Sequence, residues 1–163
     1  KSNNLISVLD IKLKDRYFHS RYNARKRTYR YLIINRMGSL VINKNKAWHI
    51  KKKLNVDIMK KAAFFLKGKK DFSTFRASSC NAKSPIRTLE KIKIKKNIDK
   101  IEIIFVSKSF LQKQVRSMVG CLKYVGENKW SIKKFKEVVL SKKRKNCAPP
   151  APAKGLYLTN IKY

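Results

Sequence analysis

Acidic side chains are scarce in this sequence. It has nine Asp and Glu against forty-two Lys and Arg in 163 residues, a formal charge of +33. Carboxylate-rich metal sites and paired-carboxylate acid/base chemistry are therefore hard to build from it. Cysteine is equally sparse. Cys80, Cys121 and Cys147 are odd in number, far apart and without a C-x-x-C pair, so neither a disulfide framework nor a zinc site is expected. His19 and His49 lack the company that metal binding requires. Five glycines form no phosphate-cradling loop, and no Ser/His/Asp set is present. No apolar run approaches the roughly 20 residues of a membrane helix, and the polar start has no signal-peptide core. A cytoplasmic, reducing compartment is expected. The chain opens on Lys1 rather than Met and reads as a piece of something longer.

What is abundant is positive charge, which points to a polyanion partner, above all nucleic acid. Thirty-two of the basic residues are Lys and ten are Arg. Much of the Lys belongs on solvated faces. The Arg residues carry more information, because planar bidentate contacts to phosphate favour Arg.

Periodicity divides the chain into one α+β domain with a mixed, mostly antiparallel sheet and helices packed on one face. Strands are expected over Leu5–Leu13, Thr28–Asn35, weakly within Leu40–Ile50, and over Ile86–Lys96, Ile101–Val106 and Gly155–Tyr163. The turn Asn97–Lys100 makes a hairpin of the fourth and fifth. Core residues of the last strand are expected at Leu156, Leu158 and Ile161. Helices are expected over Asn55–Lys67, stopped by Gly68, from Ser109 as cap to Gly126, and over Ser131–Ser141.

Three places stand out chemically. Arg116 lies on the most apolar helix, with Gly120 one turn on leaving room for close backbone approach. It either pairs with a carboxylate or phosphate, or snorkels to water from the edge of the stripe, and composition favours the second. Tyr29 sits in the cationic run Arg25-Lys-Arg-Thr-Tyr-Arg-Tyr31, where it either stacks on an exposed base or packs in the core. His19, Arg21 and Arg27 could meet phosphate, or be ordinary loop polarity. These readings stop at a basic α+β domain that binds RNA.

Several collinear segments go further. Phe18-His-Ser-Arg21, Lys26-Arg-Thr-Tyr-Arg-Tyr-Leu-Ile33, Gly68-Lys-Lys-Asp-Phe-Ser-Thr-Phe-Arg76, Ser109-Phe-Leu-Gln-Lys-Gln-Val-Arg-Ser-Met-Val-Gly120 and Ala151-Pro-Ala-Lys-Gly-Leu-Tyr-Leu158 resemble the tRNA pseudouridine synthase A family. The resemblance implies the pseudouridine synthase fold, and an isomerase that converts uridine to pseudouridine in the tRNA anticodon stem-loop. It implies a homodimer that uses no cofactor and no metal. It places Tyr29 as the tyrosine stacked on the target uridine, and Arg116 as the partner of the nucleophilic aspartate. It places His19, Arg21 and Arg27 among the RNA contacts. The family's Gly-Arg-Thr-Asp motif, which carries that aspartate, does not occur in these 163 residues. The expectation is a C-terminal portion, spanning residues 1–163, of a pseudouridine synthase catalytic and RNA-binding domain, inactive alone. The alternative is a non-catalytic RNA-binding protein derived from the family, and a third reading is a ribosome-associated basic protein.

Overall fold

The structure, a computed structural model, describes residues 6–42 and 44–163. Its elements run β1 (Lys26–Asn35), β2 (Trp48–Ile50), α1 (Val56–Ala63), β3 (Gly68–Asp71), β4 (Ile86–Asn97), β5 (Lys100–Ser107), α2 (Gln114–Gly126), α3 (Ile132–Leu140) and β6 (Leu156–Lys162). The strands form one sheet in the order β2-β1-β5-β4-β3, and β6 also pairs with β1. Every ladder is antiparallel except β1–β2. The mixed, mostly antiparallel α+β architecture expected from the pattern is what forms. Among the described residues no helix is long and apolar enough to cross a membrane.

Alternation assigns the two faces. Tyr31 and Ile33 of β1 join Ile101, Ile103 and Phe105 of β5 in the core that α1, α2 and α3 cover. Leu32 and Ile34 point the other way into a small cluster with Ala47. A register shift between Leu89 and Lys91 changes the phase of β4, so both Leu89 and Ile94 reach the helix-side core. Local capping matches the helix starts at two places: Asn55 Oδ1 accepts from Ile58 N (3.1 Å), and Ser131 Oγ accepts from Lys134 N (3.1 Å).

Three expectations need correction, and the weak strand expected within Leu40–Ile50 forms in its last residues. Residues 6–13 form no strand; Leu5 lies outside the described residues. Their apolar side chains stand in solvent, Leu9 at 94% and Leu13 at 99% exposure. The alternation slips between Val8 and Leu9, so the segment has no continuous apolar face to bury. Within Leu40–Ile50, where Asn43 lies outside the described residues, only Trp48–Ile50 is a strand. Ser109 caps nothing. α2 begins at Gln114, after Lys113 turns through φ 60°, and the Gln114 side chain accepts from Leu111 N (2.7 Å). Phe110 and Leu111 imitate a helical stripe but belong to a loop. Leu158 is 48% exposed, because β6 lies at the sheet margin and offers only one covered face.

A strap from Cys147 to Gly155 closes the fold behind α2. Ala151 N donates to Arg116 O (2.9 Å), and Tyr31 Oη donates to Pro152 O (2.6 Å). Burial holds the Tyr31 hydroxyl well above the usual tyrosine range, although the Arg116 charge pulls it down. The strap touches the helix at Gly120, where a Cβ would lie 2.1 Å from Pro149 O. The room that Gly120 leaves is thus taken by this chain's own backbone. At the head of the strap, Cys147 Sγ lies 3.4 Å from Cys121 Sγ on α2, both as free thiols. The hydrogen bond from Cys121, helped by the Arg144 charge, pushes the Cys147 thiol below its ordinary value. The same bond and burial push Cys121 up.

Two outcomes follow from the strap. Gly120→Ala should destabilise the fold by about 1–3 kcal/mol through overpacking. Chemical denaturation measures it, with Gly38→Ala, whose Cβ meets nothing within 4 Å, as control. Iodoacetamide should label half-buried Cys147 before fully buried Cys121, read by peptide mass mapping. Equal labelling would contradict the assigned polarity of the pair.

Candidate functional site

A cleft of about 800 Å³ opens between the start of β1, the 108–113 loop and the first turn of α2. Its cations are Arg21, Arg27, Arg87, Lys108, Lys113 and Arg116, and its aromatic rings are Tyr22, Tyr29 and Phe110. None of the side chains lining it is acidic.

Each is positioned by local structure. Tyr29 enters on the helix-facing side of β1, half-buried, and meets Phe110 edge-on at 5.2 Å and 90°. That contact fixes the tyrosine ring and leaves the cleft side of the pair for a third ring. Arg116 is half-buried on the first turn of α2. Its Nε donates to Ala151 O at 2.6 Å, so the strap holds the guanidinium by one nitrogen. Among the described residues no carboxylate lies within 4 Å of it.

The reason is visible in the nine acids, each of which is engaged elsewhere. Asp10 pairs with Lys12, Asp57 with Lys60, Asp99 with Arg36, Glu90 with Lys26 and Glu137 with Lys134. Glu102 meets Arg30 and Lys100, and Glu127 meets Lys123 at 2.8 Å. Asp15 and Asp71 accept from the backbone of Tyr17 and Ser73 and shape turns. Arg116 is therefore neither free to snorkel fully nor paired with an anion of this chain.

The other anticipated residues separate. Arg27 gives both terminal nitrogens to main-chain carbonyls, Nη1 to Lys108 and Nη2 to Arg21. It is a strut between two walls of the cleft. Arg21 lines the cleft, has an exposed side chain and lies over the Tyr22 ring at 5.8 Å. His19 does not line it. Its Nδ1 accepts from Arg21 N (3.1 Å) and Tyr22 N (3.4 Å), so it folds the turn that presents Arg21.

The sequence reading missed Arg87, Lys108, Lys113 and the Ser79–Ala82 wall. Arg76 Nη2 pins that wall by donating to Cys80 O (2.5 Å) and Ala82 O (2.7 Å). Position in a charge run gave no signal for any of them, since they come from three separated segments. Among the described residues no group of three or more His, Cys, Asp or Glu could hold a metal ion.

The fold and cleft define a basic α+β domain with an acid-free, aromatic-lined groove. A family profile described as tRNA pseudouridine synthase matches residues 62–163. A Pelagibacter ubique protein named tRNA pseudouridine synthase A is 57% identical over 158 residues, covering 97% of this chain and 64% of its own length. Proteins of the same name from Xanthobacter autotrophicus and a Caulobacter species are 44% and 40% identical over 158 residues, with the same coverage. The chain belongs to the tRNA pseudouridine synthase family. It spans 64% of the length of these curated relatives.

The struts can be tested directly. Arg27→Gln removes two charge-assisted bonds to carbonyls. It should lower stability by about 1.5–3 kcal/mol or loosen the 19–24 turn, seen as faster amide exchange there. Unchanged stability and exchange would remove Arg27 as a strut.

Proposed function

We propose that this chain is the RNA-binding and base-stacking part of a tRNA pseudouridine synthase, which isomerises uridine to pseudouridine in the anticodon stem-loop. The observation that carries the reading is the cleft that joins Tyr29 and Arg116 among six cations with no acid of its own. Cations along a groove draw in the phosphate backbone, and aromatic rings take a base that has left its stack. Tyr29, backed by Phe110, stacks on the target uridine. Arg116, held at Nε, turns its remaining donors to the nucleophilic aspartate, which comes from outside these 163 residues. That carboxylate breaks the bond between base and sugar. The freed base turns, the sugar carbon bonds to C5 in place of N1, the proton of C5 is then lost, and N1 takes one up. No cofactor and no metal takes part in this scheme. The assembly is a cytoplasmic homodimer, in keeping with the family resemblance.

The reading has a decisive test. Full-length protein incubated with unmodified tRNA should form pseudouridine, and residues 1–163 alone should form none. Tight binding by the full-length protein without turnover would favour the alternative, a non-catalytic RNA-binding protein derived from the family. Tyr29→Ala in the full-length protein should weaken tRNA binding by about 1–3 kcal/mol through lost stacking. Tyr29→Phe should keep that affinity, and any fall in turnover then belongs to the hydroxyl. If both substitutions leave binding and turnover at wild-type levels, Tyr29 is a packing residue.

A further inference from the structure

Arg87 is the cleft residue that nothing above has assigned. It lies on β4 two residues before Leu89, so both face the helix side of the sheet. Lys70 stands directly across the β3–β4 ladder from it. Arg87 Nη1 donates to Ser84 O (2.9 Å) and to Ile86 O (2.6 Å). These two carbonyls fix the plane of the guanidinium. The opposite edge is unused: Nε is buried with no hydrogen-bond partner, and Nη2 has none among the described residues. No acid of this chain lies within 4 Å of the group.

The other cleft arginines make the contrast. Arg27 has both terminal nitrogens committed to carbonyls, as a strut does. Arg87 is anchored through one nitrogen, and its Nε–Nη2 edge has no acceptor among the described residues. That edge is the fork that receives two oxygens of a phosphate side by side. A buried N–H without an acceptor is costly, and an anion entering the cleft supplies one.

We propose that Arg87 is a phosphate clamp, holding one backbone phosphate of the bound RNA through its Nε–Nη2 edge. The proposal rests on the reading of the cleft as the RNA site of a synthase. It makes Arg87 a binding and positioning residue, away from the reacting bond.

The test uses the full-length protein with Arg87→Gln and Arg87→Lys, unmodified tRNA as probe, and affinity measured across a salt series. Arg87→Gln should weaken binding about tenfold, as lost charge-assisted bonds do. It should also reduce the slope of log affinity against log salt by about one ion. KM should rise while kcat is kept, the mark of a uniform binding contact. Arg87→Lys should retain the slope and recover only part of the affinity, because a lysine keeps the charge and loses the fork. A lower melting temperature with unchanged salt slope would make Arg87 a strut like Arg27 and overturn the proposal. If the wild-type protein forms no pseudouridine while Arg87→Gln still loses one ion of slope, the synthase reading fails and the clamp stands. If both proteins bind tRNA with the same slope, the clamp fails whatever the turnover.

Discussion

Arg116 and Ala151 exchange two hydrogen bonds, N–H of Ala151 to the arginine carbonyl and Nε of the arginine to the alanine carbonyl. They tie the first turn of α2 to the chain that becomes β6. β6 in turn pairs with β1, the strand that carries Tyr29. Arginine, strap, edge strand and tyrosine therefore form a closed mechanical circuit. Gly120 permits it, because a side chain there would drive Pro149 off the helix. Tyr31 reinforces it from the core side through Pro152. The cost of fixing a long charged side chain is met in folding, so Arg116 enters any encounter with an anion already oriented.

Charge is distributed by role. Lys91, Lys93 and Lys95 alternate along the exposed side of β4, far from special geometry, as solvated lysines do. The few acids are spent on local ion pairs and turns; the exposed pairs at Asp10, Asp57 and Glu137 are individually weak. The cations that line the cleft have no acid beside them in its lining. Coulomb repulsion among six cations opposes folding there, and a polyanion relieves it. This is how a chain of +33 can be only partly about its partner: most of the charge is solvated surface, and a small, Arg-rich part is site.

Long periodic segments were legible in the sequence. β1, the β4–β5 hairpin, α1 and α3 sit where apolar spacing puts them. Two kinds of element were not. β3 is four residues of Gly-Lys-Lys-Asp with no apolar alternation, and it is a strand only because β4 offers it a ladder. The 108–113 loop carries Phe110 and Leu111 at helical spacing, but Lys113 turns left-handed and resets the phase before α2. The site divides in the same way. Tyr29 and Arg116 were visible through the motif series, whereas Arg87 joins them only through strand pairing. Proximity made by a sheet leaves no local trace along the chain.

In the proposed synthase the electrostatics of the cleft would constrain the acid that enters it. A carboxylate placed beside Arg116 would meet five further cations and no competing acid. Nearby positive charge holds a carboxyl ionised. Such a group needs no separate base to become a nucleophile. The histidines agree with this economy: His19 folds a turn and His49 Nε2 donates to the Arg36 carbonyl, and neither lines the cleft. In the proposed synthase a single aspartate set against a pre-oriented arginine, with a ring to hold the base, would serve the exchange of the base–sugar bond, and the proton lost from C5 and the one gained at N1 need a separate acceptor and donor.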